Sequence, residues 1–438
     1  MKPKNVKKLL FSAIESTTEN YTGYVNNTQI DFTRNRKLSF STIIKAIIGM
    51  GSKSITNELI DLFPDVESLP SASAFVQQRQ KIKTDAFKSI FNDFTSKLIN
   101  ITDDLVVLAV DGSDIQIPTN PDDKSSFHPG SNGQKPYNLL HLNALYNLEN
   151  HLYTDAIIQG KMNTNEHSAL QEMVDNSSIN RALVIADRGY ESYNNMAHIQ
   201  EKGWFFLIRI KDGTTGIKNG LDLPDIPEFD VDINLKLTRK QTKEMKNLFL
   251  TDRNHYKLIP HSTPFDYLPL KLKKADEVKF FELNFRIVRF KITEDSYETI
   301  LTNLEKTEYS PERLKVLYES RWGIETSFRD LKYTIGMLNF HSKKVMCVQQ
   351  EIYAHLIMYN FAEMITSHVV IDKKQRKYTY KANFSVAAHV CRLFFLEKTT
   401  SPNLETIIAR NTIPIRPGRH RDRTLTVRVF RGFLYRVA

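Results

Sequence analysis

Apolar positions along this chain change period near residue 105. Before it they recur at helical spacing. Phe40, Ile43, Ile44, Ile47 and Ile48 predict a helix over 39–48, and after Gly49-Met50-Gly51 the stripe Ile55, Leu59, Ile60 and Phe63 predicts another over 54–63. The pair reads as a helix-turn-helix. A third helix is expected after Pro70-Ser71 and a fourth over 84–99, where Phe87, Ile90, Phe91, Phe94 and Leu98 share a face. From Leu105 the pattern becomes continuous: 105–110 is an unbroken apolar run ending in Asp111-Gly112, the mark of a buried central strand with a carboxylate at its end. Strands are expected over 137–148 and 152–159, the first introduced by the turn-rich stretch from Pro129 to Pro136, and a helix follows over 165–177. A second apolar run, 182–186, ends in Asp187-Arg188-Gly189-Tyr190; a helix over 193–202 then leads to a strand over 204–210. Three strands, a helix, a strand, a helix and a strand predict an α/β core with mixed sheet direction.

Farther on, 231–237, 279–285 and 287–291 read as strands with basic residues interspersed. The apolar stretch 345–370 is long enough to suggest a membrane span, but Glu351, His355, Asn360 and Glu363 interrupt it, so it reads as a buried helix. Another helix is expected over 382–396.

The most specific pattern lies between these segments. Tyr318, Arg321, Glu325 and Lys332 follow the spacing Tyr-x2-Arg-x3-Glu-x6-Lys, which on one helix puts all four within about 60° of arc. Leu317, Ile324, Phe328, Leu331 and Ile335 fall on a neighbouring face, so the helix can pack on a core while its polar stripe lines a cleft. Ser310-Pro311 supplies a cap and a first-turn proline. The alternative is a solvated face carrying an ordinary Arg–Glu pair one turn apart.

Composition narrows the partner. Lys and Arg number 60 against 50 Asp and Glu, a net charge of +10, which points to a polyanion such as DNA, RNA or an anionic membrane. No basic amphipathic helix stands out to favour the membrane. Arg34, Arg36, Lys37, Lys45 and Lys53 decorate the first helices as phosphate contacts would require, or as the solvated face of a structural cap. Lys373 to Lys377 reads as a solvated turn or a phosphate contact. Eight arginines, from Arg410 to Arg436, crowd the end of the chain against the single Asp422. Cys347 and Cys391 have neither metal spacing nor a disulfide framework, which fits a reducing compartment, and the first residues lack a secretory apolar segment.

Two buried strands that each finish in an aspartate bring both carboxylates to one sheet edge if they are neighbours, and Glu325 on its helix can complete the cluster. Three carboxylates so close would take up a proton unless cations sat among them. Oxygen-only donors select Mg²⁺, with Mn²⁺ as a substitute, rather than zinc. This set suits two-metal phosphoryl transfer. Each aspartate alone reads as a turn residue; the three together read as a site.

The set Asp111-Gly112-Ser113-Asp114, Asp187-Arg188-Gly189-Tyr190 and Tyr318-x2-Arg321-x3-Glu325-x6-Lys332 closely resembles the DDE transposases of insertion sequences, specifically the large family with the Y-R-E-K signature. The resemblance covers about residues 35 to 370. It implies a ribonuclease-H-like catalytic core with an inserted β-rich subdomain, an α-helical N-terminal DNA-binding region and a helical C-terminal region. The matching acids are Asp111, Asp187 and Glu325, as catalytic residues and Mg²⁺ ligands. Tyr318, Arg321 and Lys332 would contact terminal phosphates, with Arg188 beside them. The 138 residues between Asp187 and Glu325 exceed what one strand and one helix need, which makes room for the insertion. Some members of the family hold a flipped base against aromatics of that insertion, a role Tyr297 could take; a tyrosine on a solvated loop explains it equally well.

The expected organisation is therefore a helical DNA-binding region over 1–100, a first catalytic part over 101–211, a β-rich insertion over 212–308, a second catalytic part over 309–345, and a helical region with a basic tail over 346–438. The tail would bind DNA, a second subunit or both. The implied protein is a cut-and-paste transposase acting on double-stranded DNA, both element ends and target, as a homodimer in the synapse, in a bacterial cytoplasm and with no membrane partner. A ribonuclease-H-like DNA nuclease and a non-catalytic, transposase-derived DNA-binding protein are the alternatives.

Overall fold

The computed structural model describes residues 1–34, 36–63, 65–99, 104–130, 133, 135–211, 216–270, 277–294, 296–371 and 378–415. The basic segment 373–377 and the arginines from Arg416 to Arg436 lie outside the described residues.

Among the described residues five α-helices precede the sheet: α1 (Pro3–Glu19), α2 (Phe40–Gly49), α3 (Ile55–Leu62), α4 (Ala72–Arg79) and α5 (Thr84–Leu98). The side chains of Ser39, Ser54 and Ser71 each accept a hydrogen bond from the backbone N–H three residues on, which starts α2, α3 and α4 where the sequence places them. The sequence pattern does not anticipate α1, whose buried Val6, Leu10, Ala13, Ile14 and Thr17 are diluted by lysines and hydroxyls.

The sheet begins with β1 (Val106–Ile117), β2 (Phe127–His128), β3 (Tyr137–Asn147) and β4 (Leu152–Gly160). Then come α6 (Glu166–Asn176), β5 (Ala182–Ala186), α7 (Tyr193–Glu201) and β6 (Phe205–Arg209). It continues through β7 (Phe229–Thr238), α8 (Lys243–Thr251), β8 (Tyr256–Leu258), β9 (Phe281–Thr293) and β10 (Ser296–Thr302). Among the described residues the strands lie in the order β2-β3-β1-β5-β6-β10-β9-β7-β8, with β4 also paired to β3. β1, β3 and β4 pair antiparallel, whereas β1, β5 and β6 run parallel, so the sheet direction is mixed as expected. The strands between residues 229 and 302 join this same sheet through the β6–β10 pairing.

Three sequence expectations need correction here. β1 does not stop at Asp111: β3 keeps pairing with it as far as Ile117, so the aspartate lies inside a strand. The segments 279–285 and 287–291 are one strand, β9, because Arg286 between them is not a turn residue. Its buried guanidinium donates to Asp230 and to the carbonyls of Leu304 and Tyr309, so the chain runs straight through. Finally, α8 adds a helix, which the sequence reading did not name, to the region expected to be β-rich.

The last part comprises α9 (Pro311–Glu319), α10 (Trp322–Asp330), α11 (Val345–Thr366), β11 (Tyr380–Ala382), α12 (Phe384–Phe395), α13 (Ser401–Arg410) and β12 (Thr412–Pro414). Residues 318–332 are thus not a single regular helix. Arg321 and Gly323 donate to the carbonyls three residues back, at 3.1 and 2.9 Å, so the ladder tightens between α9 and α10. A π turn, Leu331–Ile335, then ends at Gly336, whose φ of 105° requires glycine. At the junction a Cβ on Gly323 would lie 2.7 Å from the Leu148 side-chain tip, so a larger residue there would have to displace it.

α11 is buried on all sides. Asn360 accepts from the Tyr153 N–H at 2.9 Å and donates to the Tyr153 carbonyl at 2.8 Å, tying the helix to β4. No described helix is long and apolar enough to cross a membrane. Around α11 pack α1, α2, α5 and α12, on the sheet face that holds Ala109, Ile115 and Leu142. α9 covers the same side of β5 and β6 through Leu183, Ile185, Leu207, Leu314 and Tyr318. The opposite face, with Leu108, Val110 and Val184, is covered by α6 and α7.

Candidate active site

Alternation along β1 decides which side chains reach which layer. Ala109 and Ile115 pack toward the helices of the α10–α11 side, so Asp111 and Ser113, at the same parity, face that way too. Gly112 and Asp114 face α6. In the neighbouring strand Ile185 pairs with Ala109, and two residues beyond each stand Asp187 and Asp111. The two carboxylates therefore leave adjacent parallel strands, about 4.8 Å apart, at the level where β5 ends and on one face. Two aspartates close to a strand end are what the sequence predicts; the common register comes from the fold.

Asp111 receives the Gly112 N–H at 2.8 Å. Burial raises its pKa to about 6, with Glu325 and Glu166 adding to the rise while the Gly112 hydrogen bond and Arg321 oppose it. Asp187 accepts from the Arg188 N–H at 2.7 Å and from the Tyr318 hydroxyl at 3.4 Å, with Arg209 Nε 4.0 Å away. Burial and then the Asp187 charge push the Tyr318 phenol up to about 12, so at neutral pH it is a hydrogen-bond donor.

α10 delivers the third acid. Glu325 Oε1 accepts from Arg321 Nη2 at 2.8 Å. Arg321 is 6% exposed, lies near the rings of Tyr318 and Trp322, and has no hydrogen-bond partner at Nε among the described residues. From the π turn, Lys332 Nζ donates to Ser113 Oγ at 2.7 Å and to the Asp114 carbonyl at 2.9 Å. Asp111, Asp187, Tyr318, Arg321, Glu325 and Lys332 thus gather on one side of the sheet, and the exposed Arg188 borders them.

Tyr297 stands apart. It is on β10, opposite Lys291 of β9, with the Arg289 guanidinium 4.9 Å from its ring centre, so it is not a loop residue. Of the basic residues in the first helices, Arg34 and Arg36 line a cavity of about 290 Å³ with Lys81 and Phe32. Lys45 instead lies over the Phe11 ring, Lys53 pairs with Asp61, and α2 is mostly buried, which leaves little of it to enter a groove. A cavity of about 700 Å³ between α5, β4 and α6 is lined by Asp85, Asp93, Asp155 and Glu172, an unsuitable charge for a phosphodiester.

Sequence reading misses two groups beside the site. Arg209, last residue of β6, reaches Glu298 at 3.2 Å as well as Asp187; a cation closing an otherwise apolar run was the available signal. On the α6 face, Asp114 contacts His141 and Lys161, at 2.5 and 2.9 Å, and His141 also meets Glu166 at 2.9 Å. No spacing rule joins those four residues, because three different elements and a turn carry them.

Among the described residues no three His, Cys, Asp or Glu side chains stand close enough together to hold a cation as they are. Glu325 is turned to Arg321. The donor set nevertheless suits a hard divalent ion: only carboxylate oxygens are offered, and Asp111 has a carboxyl lifted to about 6 that a nearby cation would return to its charged form.

Residues 102–361 match a family model described as the transposase DDE domain. The chain is 22% identical over 345 residues to the transposase InsG of insertion sequence element IS4 from Escherichia coli strain K12, an alignment covering 75% of this chain and 70% of InsG. Among solved structures, it is similar to the piggyBac transposase in a synaptic complex with hairpin DNA, with a TM-score of 0.46 and 13% identity over 97% of this chain and 88% of that one.

Proposed function

The chain belongs to the transposases that carry a DDE domain, and we propose that it cuts DNA at the ends of an insertion sequence and joins them to target DNA, using Asp111, Asp187 and Glu325 as its carboxylates. The observation that carries this reading is the shared register of Asp111 and Asp187 on one sheet face, with Glu325 held opposite by Arg321. The strand order β4-β3-β1-β5-β6, antiparallel and then parallel, supports a ribonuclease-H-like core.

Asp111, Asp187 and Glu325 would hold Mg²⁺ or Mn²⁺, which supplies a polarised phosphate oxygen and an activated water or 3′-hydroxyl. The chain's own groups do the rest. Arg321 can fork two phosphate oxygens, Lys332 adds a point charge beside β1, and Tyr318 donates from its neutral hydroxyl. Arg188, exposed beside Asp187, would meet a DNA backbone, and Tyr297 would offer a ring for stacking. Double-stranded DNA is the partner, and two copies would pair on two ends. Residues 1–100 and 346–438 would grip DNA on either side of the core, with 212–308 as the insertion.

The test is strand cleavage and strand transfer on a duplex ending in the element's terminal repeat. Replacing Asp111, Asp187 or Glu325 by Ala should abolish both reactions while end binding persists. Retained cleavage in Glu325→Ala would overturn the assignment.

A further inference from the structure

The α6 face of β1 carries a feature that the three carboxylates do not explain. His141 is the cross-strand partner of Asp114 and is 3% exposed. Its Nδ1 lies 2.5 Å from Asp114 Oδ1, and its Nε2 is 2.9 Å from Glu166 Oε1, close enough for an ion pair but without hydrogen-bond geometry, so one ring sits between a strand carboxylate and the first turn of α6. Lys161 adds a second cation on Asp114 at 2.9 Å. The ring reaches Glu166 only because residue 112 has no side chain: a Cβ there would lie 2.2 Å from His141 Nε2 and 3.0 Å from Glu166 Oε1. Gly112 is the neighbour of Asp111, and Asp114 is the residue whose carbonyl receives Lys332.

We propose that His141 is a positioning residue for the transposase reaction: strung between Asp114 and Glu166 across Gly112, it fixes the stretch of β1 that carries Asp111 and receives Lys332. The inference rests on the reading of Asp111 given above. His141 does not touch the DNA. It acts through the strand, clamping the α6 face of residues 112–114 so that the opposite face presents Asp111 and Ser113 in one arrangement. A clamp of this kind matters because Asp111 departs from β1 beyond the last residue that β5 pairs, where, among the described strands, β3 alone still pairs with it.

The experiment measures single-turnover cleavage of a terminal-repeat duplex, the Mg²⁺ concentration at half-maximal rate, end binding in EDTA, and thermal unfolding. His141→Ala should slow cleavage by about 10–100-fold and raise the Mg²⁺ requirement, as loss of a supporting partner does, while end binding stays near wild type and thermal unfolding shows the protein still folded at the assay temperature. Glu166→Gln keeps an accepting oxygen and should remain close to wild type. Gly112→Ala should match His141→Ala, and the double variant should be no slower than either, since both remove the same bridge. Fully additive effects, or an unchanged rate and Mg²⁺ requirement in His141→Ala, would overturn the proposal. Should His141→Ala fail to fold, Glu166→Ala carries the same test from a half-exposed helix end, with no loss of rate as the refuting result. Asp111→Asn separates the two claims. If it cleaves as wild type does, the assignment of Asp111 falls and this inference with it; if it is dead while His141→Ala is unimpaired, only the positioning role falls.

Discussion

Arg321 and Glu325 face each other one helical turn apart at 2.8 Å, and both charges are felt by Asp111 across the cleft. Glu325, the acid proposed to complete the site, is thereby paired with a cation. Under the proposed function, a DNA phosphate that engaged Arg321 would compete with Glu325 for the guanidinium, a coupling between the phosphate and the acid.

That coupling predicts unequal effects at Arg321. Arg321→Ala removes both the carboxylate's partner and the phosphate fork, and cleavage should fall by about 100-fold or more, the loss of one or two charge-assisted hydrogen bonds. Arg321→Lys keeps the charge but not the fork, and should recover only part of that loss. Single-turnover rates at saturating DNA measure both; equal rates for Lys and Arg would contradict the bidentate role.

Lys332 makes a separable contribution. Its ammonium is already fixed on Ser113 Oγ and the Asp114 carbonyl, so it is preorganised beside β1. Lys332→Met should weaken end binding and lower the slope of log affinity against log salt by about one, as expected when one phosphate contact is lost. Ser113→Ala leaves the carbonyl contact and should cost less. Binding isotherms at several salt concentrations distinguish the two, and an unchanged slope in Lys332→Met would mean that the lysine does not meet a phosphate.

The uneven legibility of this chain has physical causes. Continuous apolar runs announced β1, β5 and β6, and apolar stripes at helical spacing announced α2 and α3, because both signals are local. The length of β1 was hidden: Asp111, Ser113 and Asp114 look like a turn, and only pairing with β3 keeps them extended. The spacing of Tyr318, Arg321, Glu325 and Lys332 survived a 3₁₀-like junction and a π turn, since these alter the helix on either side without moving the side chains off the cleft. Arg286 read as a break between strands because an arginine in a fully buried position is unexpected until its acceptors are known. His141, Glu166 and Lys161 were invisible for a different reason: their meaning lies in three elements converging on a glycine.

Stability should depend heavily on a pair far from the cleft. Arg79 Nη1 donates to Glu351 Oε1 at 2.7 Å with both side chains almost fully buried, and His341 holds the other oxygen at 3.0 Å. Burial would raise the Glu351 pKa, but the charge of Arg79 and the hydrogen bond from His341 overcome it and hold the group at about 2. Glu351→Ala strands the Arg79 charge in the interior and should cost about 3–5 kcal/mol in denaturant unfolding. The wild-type contribution is present above the ordinary glutamate pKa and is lost as pH falls through about 2. A variant with an unchanged midpoint would mean the pair is replaceable by water.

Glu363 on α11 should give the opposite pH dependence. Burial first, and the Asp330 carboxyl second, raise its pKa from 4.5 to about 8, while Lys381 and the Tyr359 hydroxyl only partly oppose them. Because the folded pKa lies above the unfolded one, the group's contribution is full below about 4.5 and is lost as pH rises through about 8. Glu363→Gln fixes the neutral form. Its stability relative to wild type should therefore increase across that window, by an amount on the order of a few kcal/mol, since every tenfold difference in proton affinity between the folded and unfolded chains is worth about 1.4 kcal/mol. Urea unfolding midpoints at pH 5, 6.5 and 8 test this, with the difference between the two proteins cancelling every other titrating group. A difference that stays constant across the three pH values would show that Glu363 ionises as freely in the folded chain as in the unfolded one.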